Sequence, residues 1–219
     1  MNPVRNAASR VYAGAGRAVL NWRAHRRMRE LGLTDLFAGR PRDAIPPVWA
    51  DLWFLYSAVR AKHPAMVLEF GSGCSTLVMA RALADNARDG GAPGRIVSLE
   101  SDARWADVAA RDVPAALRPY VSIVASAAIP VDYDGTRAWR YRDVPPVAPE
   151  LVYLDGPEFT PDRKVAVDVL DLESRLAPGT RVIVDGRGRN CDFLAGHFRR
   201  TWRRTGDRFL KRTVFELDA

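Results

Sequence analysis

Short apolar runs alternate with stretches of helical spacing along most of the chain. From residue 65 onward, the apolar runs predict strands at residues 66–69, 95–100, 121–125, 151–154, 181–184 and 212–217. Between several of these runs, apolar residues recur every three or four positions, which predicts helices at residues 75–87, 103–112, 164–176 and 191–202. Strands that alternate with helices are typical of a parallel sheet covered on both faces. The pattern therefore predicts a doubly wound α/β fold.

The first thirty residues predict one amphipathic helix, weakened at Gly14 and Gly16. Its apolar stripe consists of Val4, Ala8, Val11, Ala15, Ala18 and Trp22. Three interpretations stay open: the stripe packs on the rest of the protein, the helix contacts a membrane surface or the acidic face of a partner, or it binds nucleic acid. A proline-rich linker follows at residues 40–47, and a second predicted helix ends near Lys62. We therefore divide the chain into a basic helical extension with its linker, residues 1–45, and one domain, residues 46–219.

Positive charge is concentrated at the two ends of the chain. The net charge is +7, and residues 1–42 hold nine arginines against two acids. A second basic cluster consists of Arg199, Arg200, Arg203, Arg204, Arg208, Lys211 and Arg212. Basic ends keep a nucleic-acid partner open, although the second cluster lacks the interleaved aromatic residues of single-strand binding sites.

The overall composition is that of a soluble globular protein. Hydrophobic residues make up 47% of the chain and charged residues 27%, and no apolar run approaches the roughly 18 residues of a spanning helix. The N-terminal region lacks the apolar core of a secretory signal. Cys74 and Cys191 show neither disulfide nor zinc-ligand spacing. We therefore expect a cytoplasmic protein with two free thiols.

A glycine turn and four acids mark the predicted carboxyl ends of the strands. The first strand runs into Glu69-Phe-Gly71-Ser-Gly73-Cys-Ser75-Thr76, where the glycines let a ligand lie against the backbone before a helix begins. The acids that end strands are Glu69, Glu100, Asp155 and Asp185. In open α/β sheets, ligands bind outside this edge, and Glu100 is placed to accept both hydrogen bonds of a ribose diol. The turn lacks a third glycine, which argues against a dinucleotide.

These residues resemble the motifs of class I S-adenosylmethionine-dependent methyltransferases. The turn from Glu69 to Thr76, the acid Glu100 and the strand end Leu151-Val-Tyr-Leu-Asp155-Gly-Pro are similar to the first, second and fourth strand motifs of that family. The resemblance covers about residues 65–217. It implies a Rossmann-like doubly wound sheet, mostly parallel, with an antiparallel edge strand at the C-terminus and the N-terminal helices outside the family motifs.

The resemblance also implies S-adenosylmethionine as the cofactor. Gly71, Ser72 and Gly73 would approach its methionine and ribose portions, Glu100 would hold the ribose hydroxyls, and Ser126 or Ala127 would border the adenine. The residues expected to bind the cofactor are Glu69, Gly71, Ser72, Gly73, Ser75, Thr76, Glu100, Ser101, Ser126 and Asp155.

Asp155 is the predicted catalytic residue. Methyl transfer from a sulfonium is an in-line displacement, so the protein has to position the acceptor and remove one proton from it. Asp155 can orient the ammonium group of the cofactor, act as general base or help to hold a metal ion, and we favour contact with cofactor or acceptor. A divalent metal ion is not expected, because only Asp155 and Asp185 offer credible ligands. The loop of residues 186–190 either presents Arg187 and Arg189 to an anionic acceptor or forms a surface turn.

The sequence thus predicts S-adenosylmethionine-dependent methyl transfer to a small-molecule or glycan acceptor, as O-methylation. The basic ends prompt one alternative, an RNA- or DNA-directed methyltransferase or binding module. A catalytically silent relative of the fold that serves as a subunit is another. The sequence does not identify the acceptor, because the N-terminal helices and residues 127–149, which would shape its pocket, carry no motif.

Overall fold

The computed structural model describes residues 3–41, 44, 46–158, 160–207 and 210–218. In these residues the helices are α1 Pro3–Glu30, α2 Trp49–Lys62, α3 Cys74–Arg88, α4 Ala103–Asp112, α5 Asp168–Leu172 and α6 Gly188–His197. The strands are β1 Met66–Phe70, β2 Arg95–Glu100, β3 Val121–Ala125, β4 Ala128–Tyr133, β5 Thr136–Tyr141, β6 Leu151–Leu154, β7 Arg181–Asp185, β8 Trp202–Asp207 and β9 Arg212–Leu217.

Seven of the described strands form one sheet, in the order β3-β2-β1-β6-β7-β9-β8. The first five are parallel to one another, whereas β9 pairs antiparallel with both β7 and β8. The predicted doubly wound sheet with an antiparallel C-terminal edge is therefore confirmed. The five parallel strands end side by side at Phe70, Glu100, Ala125, Leu154 and Asp185. We call this line of strand ends the carboxyl edge, and it is where α/β sheets bind ligands.

The sheet is buried on both faces because its central strands are apolar on both sides. Leu68 and Val152 pack against α5, α6 and the β4–β5 hairpin, whereas Val67 and Ile96 pack against α2 and α3. All four side chains are fully buried. Burial of a side chain of this size stabilises the fold by about 1.5–3 kcal/mol. The strands that lead to the carboxyl edge are therefore held firmly in the core.

The turn after β2 is fixed by the residue that begins α4. The carboxylate of Asp102 accepts hydrogen bonds from the backbone N–H groups of Arg104, at 2.8 Å, and Trp105, at 3.3 Å. A cap of this kind contributes about 1 kcal/mol to a helix. The bend from Glu100 at the strand end into α4 is therefore fixed by the local sequence.

A β-hairpin occupies most of the segment for which the sequence showed no motif. Strands β4 and β5 pair antiparallel, with Tyr133 opposite Thr136. The two residues between them, Asp134 and Gly135, both have positive φ, at 49° and 75°. Asp-Gly at the tip of a hairpin is the preferred sequence for such a two-residue turn. The signal was therefore present in the sequence, although the strands beside it were not predicted.

Two helices are shorter than predicted. The segment predicted as a helix at residues 164–176 contains only α5 and a 3₁₀ turn over Glu173–Arg175, and the helix predicted at 191–202 ends at His197. The first helix begins late because residues 165–167 pair with Trp139 through backbone hydrogen bonds. The second ends early because of Glu173, whose buried carboxylate accepts hydrogen bonds from the N–H groups of Arg199 and Arg200 and from Trp202 Nε1. These bonds hold residues 198–201 outside the helix, and Trp202 instead begins β8.

Helix α1 is continuous through Gly14 and Gly16, as predicted, and a weakening of the helix at these glycines stays a prediction. It packs on α2, where the N–H of Ala50 donates to Asn21 Oδ1 at 3.1 Å and the ring of His25 stacks on Trp49 at 4.5 Å. The linker at 40–47 lies partly outside the described residues, and the division of the chain at residue 45 stays a prediction. Among the described helices, α1 included, none combines the length and the apolar character needed to cross a bilayer.

Candidate functional site

The glycine turn connects β1 to α3 and is supported from inside the protein. Gly71 has a φ of +98°, and its N–H donates to the carbonyl of Leu99 at 2.8 Å. Thr76 Oγ1 accepts from the N–H of Gly73 at 2.9 Å and donates to Glu69 Oε2 at 2.6 Å. Glu69 is fully buried, and this burial raises the pKa of its carboxyl group to about 7. Glu69 and Thr76 therefore hold the turn in place from the protein interior.

Glu100 is hydrogen bonded to the glycine turn from the neighbouring strand. Its Oε2 accepts from the backbone N–H of Ser72 at 3.0 Å and from Ser72 Oγ at 2.9 Å. Its Oε1 accepts from the N–H of Asp102 at 3.1 Å and from Ser101 Oγ at 3.4 Å. The carboxylate is half-buried, so one side of it still meets solvent. The turn and Glu100, predicted as partners from the sequence, thus form one hydrogen-bonded unit.

The turn after β6 brings Asp155 to the same edge. The N–H groups of Asp155 and Gly156 both donate to the carbonyl of Phe70, and the buried guanidinium of Arg187 donates to the carbonyls of Asp155 and Pro157. Asp155 is accessible to solvent even though many protein atoms surround its carboxyl group. Desolvation by the surrounding protein, reinforced by Asp185 and opposed by Arg187, raises the pKa of Asp155 to about 6. Asp155 therefore offers a carboxylate of raised basicity next to the glycine turn.

A buried ion pair lies at the end of β7. Arg212 lies 3.3 Å from Asp51 of α2, and its guanidinium is 3.4 Å from the centre of the Phe54 ring. Burial and the nearby Asp185 raise the pKa of Asp51 to about 6, although Arg212 and Arg17 act in the opposite direction. Burial likewise raises the pKa of Asp185. The sequence pattern placed Arg212 only in the second basic cluster and did not pair it with Asp51, because the two residues are far apart in the chain.

Ser126 holds the hairpin at the end of β3, and Tyr141 holds it to α5. Ser126 Oγ accepts from the N–H of Asp143 at 2.9 Å, and the N–H of Tyr141 donates to the buried Asp168 at 2.8 Å. The Tyr141 hydroxyl lies so close to Gly156 that a Cβ on this glycine would collide with it. It has no hydrogen-bond partner in the described part of the chain, and burial raises its pKa. Sequence reasoning missed Tyr141, which lies in the segment without a motif.

The structure thus brings the predicted cofactor residues to one edge, where those other than Asp155 form two layers. Gly71, Ser72, Gly73, Ser101 and Glu100 are partly accessible there. The buried layer consists of Glu69, Ser75, Thr76 and Ser126. Residues of the buried layer can act on a bound ligand only indirectly, by supporting the accessible residues.

The loop after β7 differs from an open anion site. Arg187 is buried against the Asp155 turn, whereas Arg189 is exposed. Asn190 is also buried, and its amide group exchanges two hydrogen bonds with the backbone of Ala166. Among the described residues, no three His, Cys, Asp or Glu side chains are grouped as metal ligands would be. Among the side chains after β7, Arg187 and Asn190 therefore stabilise the fold through hydrogen bonds to the backbone.

A family comparison agrees with this geometry. A family model described as "Methyltransferase domain" matches residues 68–186, which span the glycine turn, Glu100, Asp155 and Asp185. The chain is a class I methyltransferase. The resemblance on which the cofactor residues were predicted is therefore confirmed. No curated protein matches the methyltransferase significantly in sequence.

Solved structures share the fold of the methyltransferase at low sequence identity. An O-methyltransferase from Bacillus cereus in complex with S-adenosylhomocysteine is 18% identical, with a TM-score of 0.53 over 85% of this chain and 90% of its own. The O-methyltransferase TomG from Streptomyces achromogenes, in complex with S-adenosylmethionine and involved in tomaymycin synthesis, is 20% identical, with a TM-score of 0.50 over 91% and 90%. A putative O-methyltransferase from Klebsiella pneumoniae is 20% identical, with a TM-score of 0.51 over 93% and 90%.

Replacing Arg187 with alanine is expected to destabilise the methyltransferase by about 2–3 kcal/mol, because two buried carbonyls lose a charged donor. Urea unfolding measures this change. Arg189→Ala removes the same group from the exposed position two residues away and is the matched control. Equal stabilities of the two variants would show that the guanidinium of Arg187 does not hold the Asp155 turn.

Proposed function

We propose that the protein transfers a methyl group from S-adenosylmethionine to a hydroxyl oxygen of a small molecule or a glycan. The observation that carries this proposal is the hydrogen-bonded unit of the glycine turn and Glu100 at the carboxyl edge. Backbone without side chains beside a strand-end carboxylate fits a nucleoside whose ribose diol binds the acid.

The residues at this edge fit the cofactor. A Cβ built on Gly73 would meet no atom within 4 Å, so the turn faces open space there. We assign Gly71, Ser72 and Gly73 to contacts with the methionine and ribose portions, and Glu100 to the ribose hydroxyls. Ser101 and Ser126 would border the nucleoside. Glu69, Ser75 and Thr76 would act indirectly, by supporting the turn from the buried layer.

Asp155 has the properties expected of the catalytic carboxylate. Bound S-adenosylmethionine supplies an electrophilic methyl group on a sulfonium centre. With a pKa of about 6, Asp155 is mostly ionised at neutral pH, yet it is more basic than an ordinary aspartate. It is suited either to pair with the ammonium group of the cofactor or to take the proton that leaves the acceptor hydroxyl. The protein also has to hold the methyl group of the cofactor and the acceptor hydroxyl in line.

The described contacts support a small-molecule or glycan acceptor over a nucleic acid. In the second basic cluster, Arg203 pairs with Glu216 and Arg204 with Asp192, both at 2.8 Å, and Arg200 donates to two backbone carbonyls. These arginines are therefore less available to phosphates. Of the two arginines in the loop after β7, Arg189 supports an anionic acceptor, because Arg187 is engaged in the fold. We also propose a cytoplasmic location, which the free thiols of Cys74 and Cys191 support.

Calorimetry with S-adenosylhomocysteine tests the proposal. The intact protein is expected to bind it, and Glu100→Gln to weaken binding by about tenfold or more, because a charged acceptor of ribose hydrogen bonds is lost. Asp107→Asn removes the same charge from an exposed position on α4 and is expected to bind like the wild type. No binding by the wild type, or unchanged binding by Glu100→Gln, would contradict the assignment. Small-molecule and glycan fractions incubated with a methyl-labelled cofactor then identify the acceptor by its label.

A further inference from the structure

Helix α1 covers the domain with one face only. Its inner face contains Leu20, Asn21, Ala24 and Met28, of which Ala24 and Met28 are buried. These residues lie on α2 and the segment after α1, through the contacts of Asn21 with Ala50 and the core cluster that contains Met28. The position of α1 is therefore determined by its inner face.

The opposite face of α1 is apolar and uncovered. Trp22 is 62% exposed and Val19 48%, and Ala15 and Ala18 beside them are also exposed. Ala15, Ala18 and Trp22 belong to the apolar stripe seen in the sequence. The interpretation in which this stripe packs on the rest of the protein is therefore wrong for its described members. The sequence continues the same spacing toward the N-terminus through Val11, Ala8 and Val4.

Arginines continue this face toward the end of the helix. At 100° per residue, Arg23, Arg26 and Arg29 fall on the same side as Val19 and Trp22, and all three are exposed. The nearest acid on the helix, Glu30, pairs with Arg26 at 2.9 Å and with Arg27 at 3.4 Å. One acid against four arginines leaves this end of α1 strongly positive. We call Ala15, Ala18, Val19, Trp22, Arg23, Arg26 and Arg29 the outer face of α1.

The chemistry of the outer face matches an anionic bilayer surface. Tryptophan is enriched at the boundary between headgroups and acyl chains, and arginines are attracted by anionic headgroups. Small alanines beside Trp22 and Val19 offer a shallow apolar strip, which suits a helix lying in the interface plane more than a deep groove of another protein. Each arginine near an anionic membrane contributes about 1 kcal/mol, and a buried apolar side chain about 1.5–3 kcal/mol. Together these contributions are sufficient for reversible binding.

We propose that the outer face of α1 docks on the surface of an anionic lipid bilayer. The arginines contact the headgroups, while Trp22 and Val19 enter the boundary of the acyl chains. The inner face stays on α2, so docking requires no rearrangement of the fold. This proposal does not depend on the methyl-transfer activity and can be tested without cofactor or acceptor.

Sedimentation of the full chain with vesicles tests this docking. We expect the wild type to pellet with vesicles of phosphatidylcholine and phosphatidylglycerol, to stay in solution with phosphatidylcholine alone, and to lose binding as salt is raised. The double variant Val19→Ser with Trp22→Ser removes the apolar contacts. The triple variant Arg23→Gln, Arg26→Gln, Arg29→Gln removes the charges. Each set is expected to weaken binding by about tenfold or more.

Matched controls separate docking from general surface properties. Leu31→Ser changes an exposed apolar residue off the outer face, and Arg104→Gln, Arg111→Gln, Arg118→Gln remove three exposed charges elsewhere. Both controls are expected to pellet like the wild type, and circular dichroism checks that every variant is folded. Equal pelleting with and without phosphatidylglycerol, no pelleting, or wild-type pelleting by the double variant would overturn the proposal.

Discussion

Gly71→Ala is expected to lose about 3 kcal/mol or more of stability and to lose cofactor binding. The positive φ of +98° is a conformation that residues with a side chain rarely adopt. A Cβ at this position would also lie 2.8 Å from the nitrogen and 3.0 Å from the Cα of Gly156. Both are backbone atoms of the Asp155 turn, so the clash cannot be relieved by a side-chain rotation. The two turns that form the site must therefore separate.

Gly73→Ala, two residues away, is the control for this prediction. Gly73 has extended backbone with a φ of 161°, and an added Cβ would meet no protein atom within 4 Å. We expect its stability to stay within about 1 kcal/mol of the wild type. Its affinity for S-adenosylhomocysteine is expected to fall, because the Cβ projects into the space proposed for the ligand. Urea unfolding and calorimetry measure the two effects. Wild-type stability of Gly71→Ala would refute the close contact of the turns.

The folded protein is expected to become less stable as the pH rises from about 5 to about 8, because buried carboxyl groups must ionise. The pKa of Glu69 is raised from 4.5 to about 7 and that of Asp168 from 3.8 to about 7, in both cases by burial. A carboxyl group with a raised pKa in the folded state stabilises the fold fully below its unfolded pKa. That stabilisation is lost as the pH rises through the folded pKa. For Glu69 the shift from 4.5 to about 7 corresponds to about 3 kcal/mol.

Glu69→Gln isolates the contribution of this one group. The amide oxygen can still accept from Thr76, and Glu69 Oε1, which the amide nitrogen replaces, has no hydrogen-bond partner among the described residues. We expect the variant to be more stable than the wild type near pH 8 and to show a weaker pH dependence of the unfolding free energy. Glu158→Gln makes the same change at an exposed position. A wild-type pH slope in Glu69→Gln would contradict the assignment.

The sheet was predictable because each parallel strand is a short apolar run closed by a polar residue. The strand through Val67 and Leu68 can be predicted from its own residues, because burial on both faces makes it continuously apolar. The β4–β5 hairpin was missed for the opposite reason. Its strands are partly exposed and include charged residues such as Asp132 and Arg137, so the apolar signal is weak. The last helix was overextended because the bonds to Glu173 that end it come from a distant segment.

Some contacts of the site were likewise predictable from the sequence, and others were not. The pairing of Glu100 with the glycine turn follows from the parallel order of neighbouring strands, which places their ends side by side. The role of Arg187 does not follow in this way. An arginine in a loop is equally compatible with a ligand contact and with a backbone contact, and only the fold shows that its guanidinium faces the carbonyls of Asp155 and Pro157. Periodicity likewise located the apolar stripe of α1 but not the side left uncovered.

The pair of Asp51 and Arg212 has a consequence for how the protein is made. The two residues are 161 positions apart, so Asp51 leaves the ribosome long before its partner has been synthesised. Strand β9, which carries Arg212, also inserts between β7 and β8. Until β9 has been synthesised, β7 lacks its antiparallel partner and Asp51 lacks Arg212, although Arg17, which lies 4.0 Å from Asp51, is already present. An unpaired strand edge can pair with other chains, so the edge of β7 is prone to aggregation during that interval.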